Sequence, residues 1–326
     1  MNGLVIINTH QMNVVITDGY TLNPGDLSWQ EFEQLGNLHY YPRTQPVELI
    51  ERCYNASIII SNKTPITAAL MEAATQLKLV AVTATGYNNV DITAATKRNI
   101  TVCNVPAYGT YSVAQHCFAL LLQLTNQVAI NSNSVAAGSW QTAADWCYSL
   151  GPLTELKDKV MGIVGFGKIG KQVATIAQAF GMKVICFGGK EQLDAVKQVS
   201  LYQLFIQSDV VSLHCPLTQD NTGFVNKEML GLMKPGALLI NTARGALINE
   251  KDLAQALHQN RIGGAALDVL SAEPPASNHP LIGIPNCIIT PHTAWLSAEA
   301  RKRIMDITLY NIQSFILGRA VNVVNK

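Results

Sequence analysis

Along the chain, short aliphatic runs alternate with polar stretches in two series, separated by one long apolar segment. In the first series Val14-Val15-Ile16-Thr17, Ile58-Ile59-Ile60 and Leu79-Val80-Ala81-Val82 read as strands, because short β-branched runs fit a pleated, buried surface. With the helix-compatible stretches between them they predict a small βα-type unit up to about residue 105. The segment from Val113 to about Ile130 is too long for one strand and rich in Ala, Leu and Gln, so it predicts a helix between domains. The second series is more regular, with aliphatic runs at 160–164, 183–187, 209–213, 237–241, 264–268 and 286–290. Helical stretches separate most of them, including Lys168 to Phe180 and Glu250 to Asn260, the latter capped by Asn249. Six strands with crossovers predict an α/β fold built on a doubly wound parallel sheet. Ser297 caps a last amphipathic helix, Ala298 to about Leu317, suited to return to the first domain.

Length and composition narrow the classes. At roughly 150 residues per domain, 326 residues predict two domains. With 48% apolar and 14% charged residues, the chain buries enough surface to exclude disorder. Lys and Arg total 23 against 22 Asp and Glu, a net charge of +1 that offers no field for nucleic acid and no polybasic membrane patch. Seven cysteines form no CxxC pair and are expected as reduced, mostly buried thiols of a cytoplasmic protein. No apolar run approaches the ~18 residues of a membrane span, and nothing resembles an export signal. The first strand begins just after Met12, so residues 1–11 are expected to be a dispensable extension. No Cys, His or carboxylate cluster has metal-ligand spacing, and no metal is expected.

The segment Val160-Met161-Gly162-Ile163-Val164-Gly165-Phe166-Gly167-Lys168-Ile169-Gly170 sets GxGxxG directly after a strand and before a helix. In that context Gly165 permits the tight turn, Gly167 lets backbone amides approach a pyrophosphate, and Gly170 lets the helix pack closely. A dinucleotide is therefore expected on residues 165–170. The acidic residue that usually follows about 20 residues on, to hold the ribose hydroxyls, is missing. The second strand runs into Gly188-Gly189-Lys190-Glu191 instead. Either Glu191 substitutes from a shifted register, or the site takes a 2′-phosphate with Lys190 as its cation, against the plainer alternative that Lys190 is a solvated turn residue. The absence of an acid at Gly188 favours acceptance of NADPH, because no carboxylate repels that phosphate.

Three further residues lie just beyond strand runs: Arg244 after 237–241, Glu273 after 264–268 and His292 after 286–290. The carboxyl ends of a parallel sheet form its ligand crevice, so these residues point to one place. Read on spacing alone, a surface Arg, a loop Glu and a packed His remain an equal alternative.

Several runs together are similar to the D-isomer-specific 2-hydroxyacid dehydrogenase family, and within it to its glycerate dehydrogenase branch. They are Asp18-Gly19-Tyr20-Thr21-Leu22-Asn23-Pro24-Gly25-Asp26-Leu27-Ser28-Trp29, Ala84-Thr85-Gly86-Tyr87-Asn88-Asn89-Val90-Asp91, Asn104-Val105-Pro106-Ala107-Tyr108-Gly109-Thr110 and Ser112-Val113-Ala114-Gln115. Asn241-Thr242-Ala243-Arg244-Gly245, Asp268-Val269 through Glu273-Pro274, and Thr290-Pro291-His292-Thr293-Ala294-Trp295 match the family's arginine, carboxylate and histidine motifs. The likeness runs over nearly the whole chain from Met12.

The resemblance implies two Rossmann-like domains: a discontinuous substrate domain of residues 1–106 plus 297–326, which closes over a dinucleotide-binding domain of residues 107–296. It implies a homodimer, NAD or NADP as cofactor, and a small 2-keto acid such as hydroxypyruvate or glyoxylate as substrate. In the implied roles His292 is the acid, Glu273 orients it, and Arg244 holds the substrate carboxylate with the loop of Gly86 and Tyr87. Carbonyl reduction needs such a set, since an acid must protonate the developing alkoxide while a fixed cation holds the carboxylate. Cys215 and Pro216, with Asn221, match the adenosine-side wall. Asp268 matches a contact to the nicotinamide carboxamide, and Thr242 and Ala243 belong to the same cofactor lining. Trp146 sits in an aromatic-Cys-aromatic segment whose Trp is displaced from its usual place. His116 is expected as a packed or interface histidine. The alternatives are an NAD(H)-sensing protein like the corepressors of this fold, and a dehydrogenase for another 2-keto acid such as pyruvate.

Overall fold

Aliphatic runs covered on both faces build parallel strands, and here they build two separate sheets. The structure, a computed structural model, describes residues 12–325; the expected extension at residues 1–11 lies outside them. The chain divides into two compact units. One runs up to Tyr108 and resumes at Leu296, and the other is Gly109–Trp295.

In the first unit β1 (Asn13–Ile16), β2 (Asn37–Tyr40), β3 (Ile58–Ser61), β4 (Leu79–Val82) and β5 (Thr101–Cys103) lie parallel in the order β2-β1-β3-β4-β5. Helices α1 (Gly19–Leu22), α2 (Leu49–Cys53), α3 (Ala68–Ala73) and α4 (Ile92–Lys97) connect them. Every residue of β3 and β4 is buried, and all but Ser61 are aliphatic. The polar run Asn37–Tyr40 forms the exposed edge strand, unmarked by any periodicity. The threonine and aspartate at the starts of α3 and α4 accept from Leu70 N and Ala94 N, satisfying orphan amides of each first turn.

The second unit opens with α5 (Thr110–Asn126) and α6 (Val128–Ala136). The single helix expected over 113–130 is thus two helices, because Gln127 takes left-handed angles (φ 52°, ψ 35°) that end α5. Then follow β6 (Val160–Val164), α7 (Lys168–Ala179), β7 (Lys183–Phe187), β8 (Val196–Gln198), α8 (Leu201–Gln207), β9 (Val210–Leu213), α9 (Lys227–Leu232), β10 (Leu238–Asn241), α10 (Glu250–His258), β11 (Gly264–Leu267) and β12 (Cys287–Ile289). Their order is β12-β11-β10-β9-β6-β7-β8, all parallel. The expected six strands are seven, β8 being a three-residue edge strand too short and polar to register as a period. The order reverses between β6 and β9, so the carboxyl ends of those strands flank a crevice suited to a ligand. Leu204, Leu253 and Leu257 fill one face of the sheet, while Cys117, Leu121, Val173 and Ala177 fill the other. The last helix, α11 (Ala298–Ile316), belongs to the first unit and is capped by Ser297, whose side chain accepts from Ala300 N.

Candidate active site

The turn from β6 into α7 needs its glycines. Gly165 has φ +95°, and a Cβ there would stand 2.6 Å from His214 C and 2.7 Å from Cys215 Cα. A Cβ on Gly170 would overlap the carbonyl oxygen of Gly165 and lie 3.1 Å from Ile163 Cγ2. At Gly167, by contrast, a Cβ would meet nothing within 4 Å, leaving open space over the first turn of α7. The amides of that turn, Lys168 and Ile169 among them, have no intrahelical acceptor and face an anion favourably. Phe166 is a core residue whose amide donates to Gly188 O at 2.7 Å, and Gly165 N donates to Phe187 O at 2.8 Å. The glycine turn is therefore tied to the end of β7.

There Gly188 has φ +72° with open space around it, and Lys190 is exposed. The Glu191 carboxylate is not free to substitute for an acid at Gly188 without losing a partner, since its Oε2 pairs with Lys171 Nζ of α7 at 3.1 Å. The Glu191 amide also donates to Phe166 O at 3.3 Å.

Beyond β9, Asn221 closes its loop by donating to Pro216 O (2.8 Å) and accepting from Thr218 N (2.7 Å). His214 is tied to Ser212 Oγ through Nε2 at 2.8 Å, and Ser212 Oγ lies 3.3 Å from Cys117 Sγ. Burial lowers the His214 pKa to about 4, which keeps the ring neutral, and it raises that of the Cys215 thiol.

Beyond β10, buried Asn241 shapes the next turn: its Oδ1 accepts from Ala243 N (3.0 Å) and its Nδ2 donates to Arg244 O (2.8 Å). Arg244 is exposed, and its Nη1 donates to Ala243 O at 2.7 Å. Thr242 Oγ1 is buried with no hydrogen-bond partner among the described residues, an orphan that a ligand would satisfy.

The ends of β11 and β12 bring two predicted residues into contact. His292 Nδ1 lies 2.6 Å from Glu273 Oε2, and Glu273 Oε1 accepts from Leu270 N at 3.0 Å. A carboxylate on Nδ1 favours a proton there and leaves Nε2 to exchange a proton outward. His292 itself has φ +55°, uncommon for a residue with a side chain. Its amide donates to Asp268 O and Thr290 O, each at 2.9 Å.

Asp268 anchors that loop. It is 1% exposed, and its carboxylate accepts from Thr290 Oγ1 (2.6 Å), Thr293 N (2.8 Å) and Ala294 N (2.9 Å). Burial alone raises its pKa, but hydrogen bonds from His116, Thr290 and the Ala294 and Thr293 amides outweigh burial and hold the carboxyl below its usual range. On the glutamate side, Glu250 of α10 accepts from Ser271 N and Oγ (2.7 and 2.6 Å) and pairs with His279 at 3.1 Å, fixing the loop that carries Glu273. Sequence reading passed over Asn241, Glu250 and the anchoring of Asp268. Only the N-cap pattern at Asn249-Glu250 hinted at any of them.

Gly86 and Tyr87 lie in the first unit, on the loop after β4. There Thr85 Oγ1 donates to Val105 O (2.8 Å) and Val90 N to Tyr87 O (3.0 Å). Trp146 is 86% exposed, and its carbonyl accepts from Trp140 Nε1 at 3.0 Å. Among the described residues no three His, Cys, Asp or Glu side chains gather as for a metal, and no helix is long and apolar enough to cross a membrane.

The chain is similar to known proteins over most of its length. The family model described as D-isomer specific 2-hydroxyacid dehydrogenase, NAD binding domain, matches residues 118–294. The hydroxypyruvate reductase of Blautia hydrogenotrophica is 44% identical over 97% of this chain and 100% of its own. The glycerate dehydrogenase of Methylorubrum extorquens is 40% identical over 86% of this chain and 88% of its own. Among solved structures, an acyclic imino acid reductase (Bsp5) in complex with NADPH and D-Arg superposes with a TM-score of 0.85 at 34% identity, covering 96% of this chain and 100% of that one.

Proposed function

The chain belongs to the D-isomer-specific 2-hydroxyacid dehydrogenase family, and from that premise we propose that His292, Glu273 and Arg244 carry out its reaction, with hydroxypyruvate or glyoxylate as the preferred substrate. The protein is an oxidoreductase that reduces small 2-keto acids to D-2-hydroxy acids with NAD(P)H. The observation carrying the residue assignment is the 2.6 Å contact of His292 Nδ1 with Glu273, made at the carboxyl ends of adjacent strands.

The residues present fit a dinucleotide: the space over Gly167, the first-turn amides of α7 and the orphaned Thr242 hydroxyl lie around strand ends of one sheet. When bound, the nicotinamide cofactor supplies the hydride. Arg244 holds the substrate carboxylate by its planar fork. As the carbonyl carbon gains the hydride, its oxygen takes a proton from His292 Nε2. The Glu273 carboxylate keeps the proton on Nδ1 and stabilises the charged ring before transfer, and solvent then returns the proton to Nε2.

On the finer choice of cofactor, the reading is that NADPH is accepted, in dual use with NADH or in preference to it. Its support is Gly188 in place of an acid, Glu191 paired with Lys171, and an exposed Lys190 with no ion pair among the described residues. The working form is a homodimer in the cytoplasm. Its support is that Val128, Ile130, Trp140, Trp146, Leu150 and Leu153 are all exposed along one stretch of the second unit, apolar side chains that a second copy would cover. The cytoplasmic reading rests on the cysteine pattern, since Cys53, Cys103, Cys117 and Cys186 are buried thiols that pack as small apolar side chains. Following loss of NADH and NADPH absorbance against a panel of 2-keto acids tests the reading. Nucleotide binding without turnover of any keto acid would make the protein a nucleotide sensor instead.

A further inference from the structure

We infer that His116 is a positioning residue for proton transfer: from helix α5 its imidazole holds Thr290, and through Thr290 the loop that presents His292. The inference rests on His292 being the proton donor. His116 was expected as a packed or interface histidine, and at 22% side-chain exposure it is neither solvated nor enclosed. Its Nε2 lies 3.1 Å from Thr290 Oγ1 and 3.4 Å from Asp268 Oδ1.

A proton count fixes the direction of these contacts. The Thr290 hydroxyl has one hydrogen, and it goes to Asp268 Oδ1, 2.6 Å away. Only lone pairs of Thr290 Oγ1 then face His116, so His116 Nε2 is the donor. The neutral ring carries its proton on Nε2, opposite to His292, whose Nδ1 carries the proton against Glu273.

The same helix face makes a second contact one turn earlier. Ser112 Oγ donates to Ala294 O at 2.6 Å, and positions four apart lie on one side of a helix. Ser112 and His116 thus grip both ends of the Thr290–Ala294 loop, with His292 between them. That residue's left-handed backbone needs such support, since conformations of this kind persist only when surroundings over-determine them. A loop let go by about 1 Å loses the donor's alignment, which costs on the order of a hundredfold in rate.

The test compares His116→Phe, which keeps a ring but has no donor, with His116→Gln, whose amide nitrogen reaches the place of Nε2. We expect kcat of the Phe variant to fall by about ten- to a hundredfold, with the KM for the keto acid and the Kd for NAD(P)H nearly unchanged. The Gln variant should recover most of the rate. Ser112→Ala should lower kcat in the same direction, and it stands in should the Phe variant fail to fold. In the unmodified protein, 15N NMR of the imidazoles should find the Nε2–H form at His116 and the Nδ1–H form at His292. A folded Phe variant with kcat near wild type, a Gln variant no better than Phe, a loss carried by KM, or the Nδ1–H form at His116 would each overturn the inference. Failure of the unmodified protein to reduce any keto acid would instead overturn the function proposed above, and this inference with it.

Discussion

His214 is set at the end of β9 with its ring bonded to Ser212, and burial takes its pKa from the ordinary 6.5 to about 4. The unfolded chain therefore binds this proton first as the solution is acidified. The sign follows: stability is whole above the unfolded pKa, falls as pH drops from 6.5 toward 4, and levels below the folded value. At about 1.4 kcal/mol per pH unit, the full effect is about 3 kcal/mol. Between pH about 7.5 and about 4.5 it is about 2.5 kcal/mol. An edge of the residue still meets solvent, which makes these upper figures. The perturbation is His214→Gln, whose amide keeps a polar partner for Ser212 and has no titration. Urea unfolding followed by circular dichroism at both pH values gives four stabilities, and only the difference of differences matters. Every other titrating group, Asp268 included, cancels. The wild type should lose about 2 kcal/mol more than the variant on acidification. Parallel losses, within about 0.5 kcal/mol, would show that His214 takes up its proton without unfolding and that the burial argument is wrong.

His292→Ala should lower kcat by about two to four orders of magnitude while cofactor affinity, read by fluorescence titration, stays put; near-normal turnover removes His292 from the reaction. Arg244→Lys should cost at least about tenfold in kcat/KM, because a point charge does not reproduce a forked carboxylate contact. Asp268→Asn should destabilise the second unit by about 3 kcal/mol or more at neutral pH, given several hydrogen bonds to a buried charge. That deficit should shrink as acid protonates the wild-type carboxyl below its usual pKa of about 3.9, since a depressed carboxylate pKa contributes stability only above it. Gly188→Asp should move the kcat/KM ratio toward NADH by about tenfold, and its positive φ should add about 1 kcal/mol of strain, visible as a lower melting temperature. A wild type that prefers NADH by more than about a hundredfold would shift attention to Glu191.

What the sequence reveals tracks burial. Val160–Val164 and Leu79–Val82 are covered by structure on both sides, so selection for burial leaves an unbroken aliphatic run that reads directly as a strand. The edge strands β2 and β8 leave no such mark, because their residues face solvent. Gln127 ends α5 in a left-handed conformation that nothing in its side chain announces. The site divides along similar lines. Gly165 and Gly170 were legible because the close approach forbids any Cβ, whereas strand-end position alone left His292 and Glu273 no better than a packed His and a loop Glu, and only the motif likeness singled them out. His116 was not, since its partner Thr290 is 174 positions away and a single long-range contact has no period.

The first unit is assembled from both ends of the chain, which matters while the protein is being made. β1 to β5 leave the ribosome first, yet α11 packs on β4, and residues 323–324 bond to Cys103 and Val102 of β5. Arg301, 7% exposed, closes on Asp26 and on the carbonyls of Leu22 and Leu296. At a synthesis rate of about 5–20 residues per second, the second unit, contiguous from Gly109 to Trp295, has all its strands before the first unit's sheet receives its closing helix. During those seconds the older sheet stands with an open edge of the kind that pairs with other chains. A chain halted before Leu296 would hold a complete nucleotide-binding half beside a sheet that never closes, and quality control would meet it through that sheet.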